Sequence, residues 1–443
     1  MILRVDASSW AAFVSQLTEE QQLETAGVIL AQRLGDSNVL VARSLAVVPK
    51  DAYEVRRADQ LRLHPIAINR MIRPARDRGW SVFTVHTHPG AVHPWFSDAD
   101  DRGDARLMPS FHSQIPAAHG SMVVAAESGH VLARVWETPR APAPLPVHVV
   151  GEQVAVPRLD PGAVADERFA RQELALGAEG QARLAGLHVG VVGLGGTGSV
   201  AFALLTHLGV GQITAIDGDL VEASNLPRIL SAVRADVGQT MKVDVASRYA
   251  ARAGFGTRVN QRRGMLGREA SLETLAGCDV VLSCVDKHTP RALLNRFSYD
   301  ALVPVIDMGS SFRVDGSGIV VQGSGRVVTI GPGRPCLACW GHIDPERLRA
   351  EATSEEELAR LGAEGYVDGA DVPQPSVIAF NGQVASAAVT EMLRIATGFS
   401  ASHPAPRRLA FDFLTGVVRR NTLAAPPTCR ICGGVEKLDE SYR

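Results

Sequence analysis

Residues 189–228 read VGVVGLGGTGSVAFALLTHLGVGQITAIDGDLVEASNLPR. The stretch opens with a short apolar run, 189–192, and passes into Gly193-Leu194-Gly195-Gly196-Thr197-Gly198. An apolar segment, 200–208, follows, and then a second strand-like run, 213–216, that ends at Asp217. This is the order strand, glycine turn, helix, strand, with an acidic residue where a nucleotide ribose needs one. One glycine makes the tight turn, and the others keep side chains away from a phosphate at a helix N-terminus. An ordinary strand-to-helix connection can look the same, so the rest of the chain decides.

With 443 residues, the chain has room for two or three domains. Hydrophobic residues make up 46% and charged residues 21%, as in a soluble globular protein. With a net charge of −2, nothing argues for nucleic acid or an acidic membrane surface as a partner. There is no signal-peptide pattern and no uninterrupted apolar run of about 18 residues, so the expected location is cytoplasmic. Four of the six cysteines form two Cys-x-x-Cys pairs, Cys336/Cys339 and Cys429/Cys432. In such a chain these read as one structural zinc site before they read as disulfides.

The expected fold class is α/β, with an α+β domain over 1–137, a Pro- and Ala-rich linker over 138–165 and a Rossmann-like domain over 166–443. In the first domain the pattern predicts a helix over 11–34, interrupted at Gly27, and strands at 39–48, 80–85, 121–126 and 131–136. Its informative text is Val85-His86-Thr87-His88-Pro89, followed by Phe96-Ser97-Asp98-Ala99-Asp100. Histidines at i and i+2 of a strand project to one side and can share a metal ion. A carboxylate one loop later completes a His₂-carboxylate set and leaves the fourth tetrahedral position for water. Glu24 is the candidate base for that water's proton. The alternative is a pair of histidines without a metal.

This part resembles the JAB1/MPN/Mov34 metalloproteases, in which a Glu precedes His-x-His-Pro and Ser-x-x-Asp. The resemblance implies that His86, His88 and Asp100 bind a catalytic zinc, with Glu24 as general base and Ser97 steadying the tetrahedral intermediate. Eight residues separate His88 from Ser97, one more than in the family pattern. That leaves Asp98 as a weaker alternative to Asp100, and His93 as an optional third contact. Family members cleave after the C-terminal glycine of ubiquitin-like proteins or trim sulfur-carrier precursors.

From about residue 165 to 435 the chain resembles the E1-like activating enzymes, with the ThiF and MoeB type of adenylyltransferase among them. The matching text is Arg171-Gln172, Gly177 and Gln181; the loop Gly193-x-Gly195-Gly196-x-Gly198; Gly209-Val210-Gly211; and Asp217-Gly218-Asp219. It continues with Asn225-Leu226-Pro227-Arg228, Gly238-Gln239-x-x-Lys242, Asp286, Arg291 and Asn295. The resemblance implies ATP as substrate, Asn225, Arg228 and Lys242 facing its phosphates, and Mg²⁺ on Asp286. It also implies a homodimer in which Arg171 reaches a neighbouring subunit's site. Asp217 can accept hydrogen bonds from both ribose hydroxyls. Forming an acyl adenylate concentrates negative charge that cations must offset. A dehydrogenase, the competing reading of the glycine loop, needs neither Asn225 and Arg228 nor Lys242 nor the cysteine pairs.

Four thiolates, Cys336, Cys339, Cys429 and Cys432, make a closed structural zinc site, as in that family. Between the pairs, 375–398 reads as a helix with a small-residue face closed by Gly398. In the family this helix lies near the channel for the partner's C-terminal tail. Cys278 and Cys284 lie in or beside an apolar strand, where an inert thiol is the ordinary outcome, although a thioester on Cys284 stays open. Taken together, the two resemblances imply processing and activation of a ubiquitin-like modifier, in a bacterial conjugation system of the kind linked to phage defence and with an E2-like protein downstream. The alternatives are a sulfur carrier served with a sulfurtransferase, and a non-catalytic modifier-binding role for one domain.

Overall fold

The computed structural model describes residues 1–151, 166–267, 272–352, 375–400 and 407–433. They fall into two compact units, Met1–Gly151 and the described residues from 166 onward. Among the described residues, no helix is long and apolar enough to cross a membrane.

The first unit contains β1 (Ile2–Asp6), α1 (Ala7–Leu17), β2 (Ala26–Arg33), β3 (Val39–Val47), β4 (Tyr53–Arg56), β5 (Leu61–Leu63), α2 (Pro65–Arg78), β6 (Ser81–His88), α3 (Asp98–Gln114), β7 (His119–Ala125), β8 (Val131–Trp136), β9 (Ala143–Pro144) and β10 (Val147–Val150). Eight strands make one sheet in the order β10-β1-β3-β2-β6-β7-β8-β9, and β4 and β5 form a separate hairpin. Phe13 and Leu17 of α1 pack with Leu3, Ile29, Phe83 and Met122 on one face. Ile72 of α2 and Met108 and Phe111 of α3 pack with Val28, Leu30 and Val82 on the other.

Two segments fold differently from the sequence expectation. The helix expected over 11–34 ends at Leu17, and Ala26–Arg33 is a strand. The residues AGVILA are all buried, and a run buried on both faces carries no alternation by which to tell strand from helix. Gly27 is no helix breaker: a Cβ there would stand 2.6 Å from the Phe13 ring, so the glycine lets α1 close on the sheet. The expected linker begins too early. Residues Val147–Val150 pair in parallel with β1, through Leu3↔Val147 to Asp6↔Val150, so the first unit runs to Gly151. The remainder of that linker, 152–165, lies outside the described residues.

The second unit contains α4 (Ala170–Gly186), β11 (His188–Val192), α5 (Gly196–His207), β12 (Gln212–Asp217), α6 (Lys242–Ala253), β13 (Arg258–Arg263), β14 (Val280–Ser283), α7 (His288–Asp300), β15 (Val305–Val314), β16 (Val320–Ile330), α8 (Pro345–Ala352), α9 (Ile378–Thr397), β17 (Arg408–Asp412) and β18 (Val418–Asn421). The sheet order is β13-β12-β11-β14-β15-β16-β17-β18. Strands β11 to β15 pair in parallel, and β16 to β18 are antiparallel additions. The order reverses between β11 and β14, and in open α/β sheets the crevice at the carboxyl ends of such strands takes the ligand. Helix α9 lays Val384, Ala388 and Met392 into the core beside Leu205 of α5 and closes at Gly398, whose φ is 68°.

Asp307 of β15 ties this unit together from a fully buried position. It accepts from Ser283 Oγ of β14 at 2.9 Å and pairs with Arg291 of α7 and Arg326 of β16, each at 3.2 Å. Burial alone would raise its carboxyl, but the two guanidiniums hold it below the usual carboxylate range. Replacing Asp307 by Asn leaves two guanidiniums without their counter-ion and should cost about 3–5 kcal/mol in urea unfolding. Because the folded pKa is depressed, this stabilisation is full above the unfolded value and disappears as pH falls through the folded one. The gap between wild type and Asp307→Asn should therefore narrow in acid.

Candidate functional site

In the first unit the strand expected to stop at residue 85 continues to His88, so both histidines belong to β6. His86 Nε2 lies 3.1 Å from His88 Nε2 and 2.9 Å from Asp100 Oδ1, and His88 Nε2 lies 3.5 Å from Asp100 Oδ2. Zinc–nitrogen bonds of 2.0–2.1 Å set tetrahedral ligand atoms about 3.3 Å apart, so the three donors fit one zinc ion. Asp98 and His93 are exposed and outside this group; His93 stacks on His130 instead.

Helix α3 presents Asp100 through its cap. Ser97 is the N-cap, its Oγ accepts from Asp100 N at 3.2 Å and donates to Asp100 Oδ2 at 2.8 Å, and its own N–H donates to the same oxygen at 2.7 Å. Burial pushes the Asp100 carboxyl up, but hydrogen bonds from His86 and His88 outweigh it and hold Asp100 far below the usual range.

Glu24 arrives by register. Ala26 pairs with His86, and Thr25 exchanges bonds with Thr87, its N–H donating to Thr87 Oγ1 at 2.9 Å and its carbonyl accepting from Thr87 N at 3.0 Å. That sets Glu24 opposite His88. Desolvation raises its carboxyl, against the lowering pull of His86 and His88. A raised carboxyl beside a metal donor set suits a base working near neutrality. Sequence reasoning passed over Arg56, which donates to the Glu24 carbonyl at 3.1 Å and to Thr25 Oγ1 at 2.7 Å.

In the second unit the glycine turn sits at the reversal of strand order. A Cβ on Gly198 would lie 1.8 Å from the Gly193 carbonyl oxygen, and one on Gly196 2.2 Å from Asn381 Nδ2. Gly193 itself has φ 86°. A Cβ on Gly195 would meet nothing within 4 Å, and as N-cap Gly195 gives α5 no side-chain cap, so no capping side chain competes with an anion for the first-turn amides. Asp217 Oδ2 accepts from Leu194 N at 2.6 Å and Oδ1 from Asp219 N at 2.8 Å. Lys242 Nζ donates to Asp219 Oδ2 at 2.6 Å. Asn225 is buried, and Arg228 is half-buried with no ion pair among the described residues. Asp286 is exposed, three residues past the end of β14. Arg171 is exposed on α4. Arg291 belongs to the buried Asp307 cluster, and Asn295 Oδ1 accepts from Leu337 N at 2.8 Å, which anchors the first cysteine pair.

Cys336, Cys339, Cys429 and Cys432 converge, with Sγ–Sγ distances of 3.6 Å (336–339), 3.8 Å (336–429) and 3.6 Å (339–432). A tetrahedral zinc with bonds of 2.3 Å sets thiolates about 3.8 Å apart, so these four fit a closed zinc site. The thioester left open on Cys284 finds no support: burial first, and then the Asp307 carboxylate, push its thiol far up, away from the nucleophilic thiolate. Cys278 is fully buried, with Sγ 3.6 Å from His188 Nε2.

Metal analysis of the purified chain should find two zinc ions per protomer. His86→Ala with His88→Ala should remove one, and Cys432→Ser the other, each independently. A wild-type ratio of one would limit zinc to a single cluster.

Residues 169–431 match the family model described as ThiF family, and 6–138 match prokaryotic homologs of the JAB domain. The molybdopterin-synthase adenylyltransferase of Salmonella typhimurium is 31% identical over 58% of this chain and 90% of its own length. The adenylyltransferase and sulfurtransferase uba4 of Pyricularia oryzae is 35% identical over 39% of this chain, which spans only 35% of that protein. The SAMP-activating enzyme E1 of Haloferax volcanii is 27% identical over 60% of this chain and 88% of its own length. Among solved structures, Escherichia coli MccB with ATP has a TM-score of 0.47 at 19% identity, covering 61% of this chain and 76% of that one. The chain belongs to the ThiF family and carries a prokaryotic JAB-type domain ahead of its ThiF domain.

Proposed function

We propose that the second domain adenylates the C-terminal carboxylate of a ubiquitin-like protein and that the first domain cleaves the chain after that terminal glycine. The observation that carries this reading is the reversal of strand order between β11 and β14 in a ThiF-family chain, where Asp217 ties the glycine turn to Asp219 and Asp219 holds Lys242. A glycine carboxylate oxygen attacks the α-phosphorus of ATP, the bond to the β-phosphate oxygen breaks, and pyrophosphate leaves. The turn amides and Lys242 stabilise the phosphates, Asp217 orients the ribose, Asn225 and Arg228 face the same charge, and Asp286 would hold a Mg²⁺ ion that offsets part of it. Lys242 reaches the phosphates by leaving Asp219, its partner at 2.6 Å. Arg171 completes a neighbouring subunit's site in a homodimer.

In the first domain, His86, His88 and Asp100 would hold a zinc ion, which when bound would supply Lewis acidity to the scissile carbonyl and acidity to a water. Glu24 takes that water's proton and passes it to the leaving amine. Ser97 steadies the intermediate, for which its hydroxyl must turn from Asp100. The protein acts in the cytoplasm.

The acyl adenylate passes to a nucleophile outside this chain. Of the six cysteines, four form the candidate metal cluster, Cys278 is fully buried, and Cys284 is partly buried with its thiol pushed far up by desolvation. That outlet suits an E2-like or sulfurtransferase partner. A conjugated modifier, including one serving anti-phage defence, explains why a cleaving domain shares the chain. The molybdopterin-synthase and uba4 relatives favour, as the second reading, a sulfur carrier trimmed before activation.

Pyrophosphate exchange into ATP should appear only with a partner ending in Gly-Gly. Lys242→Ala should reduce exchange by about 10²–10³-fold, and Cys284→Ser should leave it unchanged with no thiol-sensitive adduct. Absence of exchange alongside tight partner binding would make the domain a binding module. Cleavage of a modifier extended beyond its glycine should rise with pH along a limb above the ordinary carboxylate range, because a raised Glu24 must lose its proton to serve as base. Glu24→Gln should lower the rate by about 10²–10⁴-fold; an unchanged limb in that variant would exclude Glu24.

A further inference from the structure

We infer that Arg134, on β8, is a positioning residue for the His86–His88–Asp100 centre and acts through the N-terminus of α3. The inference rests on the zinc centre proposed above. Two of its donors, His86 and His88, are fixed in β6, but Asp100 follows a loop one residue longer than the related pattern. Something must set α3 against the sheet so that the longer loop still delivers Asp100 to the histidines.

Arg134 has the reach and the shape for that task. Its guanidinium carbon stacks 3.7 Å from the Phe96 ring centroid and 4.9 Å from that of Trp136. Nη1 donates to Asp101 Oδ1 and Nη2 to Asp104 Oδ2, each at 2.6 Å, while Nε donates to Asp104 Oδ2 and Ser121 Oγ, each at 3.1 Å. Phe96 immediately precedes the N-cap, whereas Asp101 and Asp104 follow Asp100 by one and four residues. The guanidinium therefore grips α3 on both sides of the metal-facing carboxylate without touching it.

The grip is referenced to the strands that carry the histidines. Arg134 pairs with Ser121, Ser121 pairs with Thr84, and Thr84 lies two residues before His86 on β6. One sheet thus places the histidines directly and Asp100 through Arg134. The side chain is 13% exposed and Asp104 is buried, so solvent screens that contact little, whereas the Asp101 carboxylate is exposed and adds less. A lysine cannot span two carboxylates and stack flat on Phe96 at once.

The test compares full-length wild type, Arg134→Lys and Phe96→Leu by zinc competition against a chelator, with the four-cysteine zinc as internal reference. Arg134→Lys should weaken the histidine centre about 10–100-fold, as loss of an outer-shell partner does, and leave the cysteine centre unchanged. Phe96→Leu, which removes only the stacking face, should weaken it about threefold. The zinc-dependent rise in Tm should shrink in the same order, whereas a purely structural role would lower the zinc-free and zinc-loaded Tm equally. Wild-type affinity in both variants, or equal weakening of both zinc sites, overturns the inference while the zinc centre stands. A wild type that holds only the cysteine zinc overturns the centre itself, and the inference with it. If Arg134→Lys does not fold, Phe96→Leu decides: wild-type affinity in it overturns the inference.

Discussion

Asp217 fixes the geometry of the nucleotide crevice. One carboxylate oxygen accepts from the Leu194 amide in the glycine turn at 2.6 Å and the other from the Asp219 amide at 2.8 Å. The end of β12 is thereby tied to the turn after β11. Burial pushes this carboxyl up, and the Lys242 charge and the two amides pull it down. From that anchor Asp219 holds Lys242, and the turn leaves α5 with its first amides uncapped. Opposite, β14 ends at Ser283 and the chain runs on to Asp286. The proposal that phosphates bind here rests on Lys242 and the uncapped amides lying at the reversal of strand order.

The first domain solves a related problem with a metal donor set. Its three donors come from one strand and one helix N-terminus, held 2.9–3.5 Å apart, with a fourth position left for chemistry. The four-cysteine cluster is closed, and its ligands, about ninety residues apart in sequence, join the end of the chain to the domain body. The proposal of cleavage at one cluster and structure at the other rests on this contrast between three donors and four.

Much of this was legible in the residues, and the exceptions have physical reasons. Glycine turns, paired cysteines and His-x-His are local patterns whose spacing alone limits what they can build. The first strand, turn and helix of the second domain were readable for that reason, although α5 begins at Gly196, before its first apolar residue. Ala26–Arg33 was misread because it is buried on both faces and so lacks a period. Val147–Val150 was hidden by neighbouring prolines, since only its pairing with β1, far away in sequence, makes it a strand. Arg56 and Arg134 could not be found at all. Each acts through contacts with residues about thirty positions away, and nothing in their local sequence sets them apart from surface arginines.

We propose that one chain both exposes and activates the same terminal glycine. Intact-mass analysis of a modifier precursor, with residues beyond its glycine, incubated with ATP, Mg²⁺ and the zinc-loaded protein tests it most directly. Wild type should convert the precursor to the trimmed modifier carrying one adenylyl group. His86→Ala with His88→Ala should leave the precursor intact yet adenylate a modifier supplied already trimmed. Failure of wild type to adenylate the trimmed modifier, or trimming that persists without the two histidines, would contradict the account.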